Sequence, residues 1–238
     1  MKYLAVAIAA LTLGVSLGVS GARAEPTGTE LFFEQPYLQK IAPGTRIAYV
    51  YKHVTAEEKL GESFNETMEL KIDADPQDGA KRIADVDIMR GTQHREAGPF
   101  PTMNGNPISL VLLERDVREM AALSKGSPFY LRNRVKDGLV AGKVEETRVD
   151  YDGRSVPAWK LTMMPFATDP NKDKLLELAG RRYEFVFADE VPGGIYAIRV
   201  ITPQADGKSN MIETSLTLTG STPPAAGAAP ATTPAAPK

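Results

Sequence analysis

The sequence predicts an α+β domain: a curved antiparallel sheet of about seven strands with a mid-chain helical hairpin packed on it. Three observations predict it. Apolar side chains recur at every second position in short segments between residues 45 and 89 and again between 144 and 219, the period of a half-buried strand. Between Asn106 and Gly142 that rhythm gives way to spacings of three and four. Asp152-Gly153, set between two alternating runs, is the dipeptide that accepts the positive φ values of a two-residue hairpin turn.

The elements follow in order. Residues 45–53 place Ile47, Tyr49 and Tyr51 on one face, and residues 67–72 set Met68, Leu70 and Ile72 against Thr67, Glu69 and Lys71. Residues 83–89 turn Ala84, Val86 and Ile88 inward and Asp85 and Asp87 outward, as in a sheet covered on one side. A helix then carries Leu110, Leu113, Val117, Met120 and Ala121 on one stripe, with Glu114/Arg118 and Arg115/Glu119 as i, i+4 ion pairs. Gly126 is the expected left-handed cap, and Ser127-Pro128 opens a second helix with Phe129, Leu131 and Val135 as packing residues. Gly138 leaves the end of that helix open. Strands return at 144–151 and 155–163, and residues 169–179 form a short helix bearing Leu175, Leu176 and Leu178. Tyr183, Phe185 and Phe187 face one way from the next strand. Val191-Pro192-Gly193-Gly194 turns the chain, and segments 195–202 and 211–219 complete the sheet.

Both termini read differently from this body. Lys2, an apolar run from Leu4 to Val19 and Ala22-Arg23-Ala24 form a signal-peptide pattern with cleavage after Ala24, too short for a comfortable membrane span. The organisation is therefore a signal peptide at 1–24, one globular domain at 25–219 and a disordered Pro/Ala/Thr-rich tail at 220–238. The expected location is periplasmic or secreted, with no permanent membrane anchor. The chain has no cysteine, which excludes thiolate catalysis, Cys-type zinc sites and lipid attachment through cysteine. A formal charge of -2, with basic and acidic residues interspersed, gives no footprint for nucleic acid.

Catalytic signatures are missing. No G-x-S-x-G elbow, H-E-x-x-H pair, Walker loop or dinucleotide fingerprint occurs in the body, and the only histidines are His53 and His94. His94 near Asp85 and Asp87 offers too few ligands for a metal, and Asp73 to Gly79 breaks the calcium-loop pattern at Pro76. Asp189 and Glu190 are adjacent, so on a strand they would point to opposite faces, and they read as a charged turn rather than a glycosidase pair. No enzyme activity, metal or cofactor is expected. The helical segment is richer, because Glu114, Arg118 and Arg132 concentrate charge beside apolar residues, and any such charge facing inward would mark a specified site.

In element order, from signal peptide through strands, helical hairpin and further strands, residues 31–218 resemble the half-barrel carriers and sensors of the bacterial envelope: LolA, LolB and RseB. The resemblance implies a curved sheet around an apolar cavity closed by helices, into which acyl chains enter. It would make Tyr49, Tyr51, Met68, Leu70, Trp159, Met163, Phe185 and Phe187 wall residues. Two functions follow. One is a binding or carrier module for an apolar, lipid-like ligand; the other is a structural or interaction module that meets an envelope protein and has a closed core.

Overall fold

The alternating segments pair into one open antiparallel sheet. A computed structural model describes residues 24–103 and 105–224, so that residues 1–23 of the expected signal peptide and 225–238 of the expected tail lie outside the described residues. Among the described residues the strands are β1 Thr45–Thr55, β2 Phe64–Ala74, β3 Arg82–Arg90, β4 Gln93–Pro101, β5 Lys143–Tyr151, β6 Arg154–Met163, β7 Arg182–Phe187, β8 Ile195–Pro203 and β9 Asn210–Thr222. Their order is β4-β3-β2-β1-β9-β8-β7-β6-β5. The expected class holds, a curved open sheet with helices packed on it, but with nine strands rather than about seven.

The strand that sequence reasoning missed is β4, at one edge. It is polar, holds Gly98, Pro99 and Pro101, and shows no alternation. An edge tolerates all of this, because a proline there removes only a ladder bond that nothing would accept. At Gly98 the register against β3 shifts, φ is +138°, and a Cβ would stand 2.3 Å from Asp85 Oδ1. Only glycine fits. At the other end of the chain, β9 runs past the expected domain boundary at residue 219, since Gly220, Ser221 and Thr222 pair with Ala48, Ile47 and Arg46.

The period-two reading puts the concave face where it was expected. Register aligns Tyr49 with Met68 and Met68 with Ile88, and further along aligns Leu216 with Ile198, Ile198 with Phe185 and Phe185 with Leu161. Asp87 departs from the pattern: it lies on the outer face yet is buried, covered by Lys71 and by His94, whose Nε2 stands 3.3 Å from its carboxylate. The Asp152-Gly153 turn is as expected, both residues having positive φ, with Tyr151 opposite Arg154.

Two helices lie between β4 and β5 in sequence and cover the concave face: α1 Pro107–Ser124 and α2 Pro128–Ala141. Asn106 caps α1 by accepting from the Ile108 amide at 3.0 Å, and Ser127 caps α2 by accepting from Tyr130. Three details correct the sequence reading. The left-handed residue ending α1 is Lys125, not Gly126; Leu110 and Phe129 are exposed, the buried stripes being Ile108, Leu112, Leu113, Val117 and Met120, and Leu131, Val135 and Leu139. Residues 169–179 form only a one-turn helix, α3 Lys172–Leu175, and a 3-10 turn at Leu176–Gly180, with Leu176 exposed at positive φ.

A further piece of the core comes from the N-terminal segment. A π-helical turn at Glu30–Glu34 buries Leu31 and Phe32, and the Phe32 ring meets Phe185 edge-on at 4.7 Å. Gly138 does not end α2. It is buried where the helix crosses the sheet, and a Cβ there would stand 2.8 Å from Pro165 Cβ and 3.3 Å from Met163 Sδ. Alanine is the better helix former by up to about 1 kcal/mol, but overpacking costs about 1–3 kcal/mol. Gly138→Ala is therefore expected to destabilise the domain by about 1–2 kcal/mol in urea denaturation.

Candidate functional site

The eight expected wall residues come together on the concave face. Tyr49, Tyr51, Met68, Leu70, Trp159, Met163, Phe185 and Phe187 belong to one buried cluster, and the most accessible of them, Trp159, is 9% exposed. The space they face is occupied by the chain's own groups: Phe32 against Phe185 and Phe187, Tyr37 stacked on Phe187 at 6.1 Å, and the apolar stripes of α1 and α2. Burial pushes the Tyr51 hydroxyl up to about 12, despite the opposing charge of Arg115 beside it.

Glu114, Arg118 and Arg132 also come together, but on the surface. Arg132 holds both Glu114 carboxylate oxygens at 2.9–3.0 Å and Arg118 donates to the same group at 3.0 Å, with the arginines half-exposed or more. This clasp joins α1 to α2 in solvent. It is not the inward-facing site that such charges would have marked.

The inward charges are their neighbours. Arg181, with no exposed surface, donates through Nε and Nη2 to Asp116, at 3.1 Å from Nε; Nη2 also reaches Glu119 at 2.9 Å, and Nη1 reaches Thr202 at 2.9 Å. The second Asp116 oxygen accepts from the Tyr183 hydroxyl at 2.6 Å. Glu119 faces His53 Nε2 at 3.1 Å, and His53 Nδ1 pairs with Thr214 at 3.0 Å. Beside this network, Arg115 binds the buried Glu66 through both nitrogens, with its guanidinium 4.5 Å from the Tyr51 ring centre, and Arg95 reaches Glu66 at 3.1 Å. A third tie joins α2 to the loop before α3, where the Tyr130 hydroxyl donates to Asp169 at 2.7–2.8 Å.

Electrostatics follow from this arrangement. Burial alone would raise the Glu119 carboxyl, but the His53 hydrogen bond and the Arg181 charge outweigh it and hold the group below its ordinary value. Burial beside Asp116 pushes the Tyr183 hydroxyl far up, so it stays a donor. Burial would lower Arg181, but its carboxylate partners prevail and keep it charged.

Most of these residues carry a sequence signal that went unread. Asp116 stands on the apolar stripe of α1, His53 is in phase with Ile47, Tyr49 and Tyr51, Glu66 with Met68 and Leu70, and Thr214 with Ile212 and Leu216. A polar residue in step with a buried face is the mark of a specified interior contact. Arg181, between a 3-10 turn and β7, has no such periodicity.

The structure also holds open clefts on either side of the β7–β8 turn. One of about 560 Å³ is floored by Pro157, Ala158 and Trp159 and rimmed by Glu146, Arg148, Asp189 and Glu190; another of about 520 Å³ lies between Tyr37, Ile41, Pro192 and Ser221. Among the described residues, no three acidic, His or Cys side chains are grouped to hold a metal ion, and no helix is long and apolar enough to cross a membrane.

No family model and no curated protein sequence matches the chain. Among solved structures it is similar to the Mycobacterium tuberculosis lipoprotein LppX, at 10% identity over 73% of this chain and 84% of that chain, with a TM-score of 0.29. The likeness is weak and confined to general layout.

Two outcomes test the network. Arg181→Met leaves the buried Asp116 without its counter-charge and Glu119 with His53 alone, and should cost about 3–5 kcal/mol in urea denaturation. Glu119 has a folded value below the ordinary 4.5, so its stabilisation is present above about pH 4.5 and is lost as pH falls through the folded value. Glu119→Gln should therefore lose less stability than the parent between about pH 6 and pH 3, measured as the shift in urea midpoint.

Proposed function

We propose that this protein is an exported binding module of the cell envelope that carries an apolar, lipid-like ligand on the concave face, with the α1–α2 hairpin as its movable cover. The observation that carries this reading is the double position of Trp159. It belongs to the continuous apolar wall and also floors a cleft of about 560 Å³, within the range of small-molecule sites. That cleft gives a ligand a way to the wall from solvent. The buried ion pairs support a cover that reseats in one position, since such pairs specify geometry more than they stabilise. No catalytic role falls to His53, Glu119 or Asp116 in this reading; they position α1.

The cleft rim bears on ligand type. Glu146, Asp189, Glu190 and Arg148 line it; Arg148 donates to Ser155 and Glu190 lies 3.7 Å from Arg154, so carboxylates outnumber guanidinium groups three to two. A neutral or cationic head group suits this rim better than a carboxylate.

A second reading is favoured by one observation, the filling of the concave face by the chain's own Phe32, Tyr37 and helices. In that reading the module has a closed core and meets another envelope protein. Native mass spectrometry of protein purified from its host, with uptake of a fluorescent neutral lipid, separates the two. Co-purified lipid and saturable uptake, weakened by Trp159→Glu, are expected of the carrier. Absence of both assigns the closed module.

A further inference from the structure

The two edges of the sheet differ. β4 is broken by Gly98, Pro99 and Pro101 and by a register shift, devices that blunt an edge against pairing. β5 has none of these. Its nine residues, Lys143–Tyr151, contain no proline and pair with β6 without a break, and among the described residues no strand lies on its other side. A straight edge of that length presents a row of unpaired backbone donors and acceptors.

The side chains on this edge are charged, which disfavours indiscriminate pairing, but they complement one another in one register. Thr147 is the middle residue. If a second β5 lies antiparallel with Thr147 opposite Thr147, all nine residues pair, and each meets a residue of the same sheet face, as an antiparallel ladder requires. Glu146 then stands opposite Arg148 twice, and Lys143 opposite the Tyr151 ring twice, a cation beside an aromatic face. Shifting the centre by one residue sets Glu146 against Glu146, or Arg148 against Arg148 with Glu146 against Asp150. Centring on Val149 avoids repulsion but pairs only the end of the strand. Opposite charges across the strands thus select the full-length register.

We propose that β5 is a homodimer edge: two copies join antiparallel about Thr147, with Glu146 and Arg148 cross-paired, into one continuous sheet. The contact is isologous, so it closes at two copies. The cross-pair lies on the sheet face that floors the Trp159 cleft, since Glu146 and Arg148 are in phase with the buried Val144.

Sedimentation equilibrium of the protein lacking its signal peptide tests this without reference to any ligand. A concentration-dependent dimer is expected. Glu146→Arg and Arg148→Glu should each raise the dimer dissociation constant about tenfold or more, because each sets two like-charged pairs face to face. Both substitutions together restore complementarity and should restore the dimer, an outcome that simple loss of folding cannot mimic. The proposal is overturned by a parent that stays monomeric up to its solubility limit, by a dimer indifferent to the single reversals, or by a double variant that remains monomeric.

Discussion

The seating of α1 on the sheet depends on Arg181. A guanidinium with no access to water must find its full set of acceptors inside the fold, and Asp116 and Glu119 of α1 supply the charge while Thr202 of β8 supplies the remaining contact. Apolar stripes alone would let the helix slide by a turn at little cost, since leucines and methionines pack interchangeably. A fork that must meet two carboxylates one turn apart removes that freedom. Position along the helix is thereby set by charge, while affinity for the sheet is set by the surface that Leu112, Val117 and Met120 bury.

This division of labour connects architecture to the proposed function. The concave wall is a run of aromatic, methionine and leucine side chains contributed by strands from both halves of the sheet. Above it, the hairpin is tied at Arg181, at Glu66 and at Asp169, all by polar contacts, and its own two helices are clasped through Glu114. The two helices are held together on their outer side and fastened to the wall by three polar ties as well as by their apolar stripes, so in the proposed function they would move as one piece.

Much of this layout was legible in the residues. The period of two placed the inner faces of β1, β2, β3 and β7 correctly because each strand buries one face only, and a slip of one residue would have exposed the whole set. Ser127-Pro128 and Asp152-Gly153 marked their boundaries because backbone geometry restricts what can stand there. What escaped had no local cause. β4 exists because β3 offers it a ladder, not because Gln93 to Pro101 prefer to be extended, and Phe129 and Leu110 fit a helical stripe by spacing yet face outward because the sheet lies elsewhere. The charged site was misplaced for a related reason. Glu114 and Asp116 look alike in composition, and only the phase of the apolar stripe tells which one is inside.

The order of the strands carries one further consequence. Eight ladders hold the sheet, and seven of them join segments that follow one another in the chain; the exception is the middle one, where β1, near residue 50, pairs with β9, beyond residue 210. Each half of the sheet can grow by local hairpins, but the seam between them closes a loop of most of the domain, the slowest kind of contact to find. A chain emerging from its N-terminal end therefore holds an unclosed β1 edge until its last strand arrives. Completion of the sheet waits for this last strand, and a truncation that removed β9, Asn210–Thr222, would leave two half-sheets with no ladder between them.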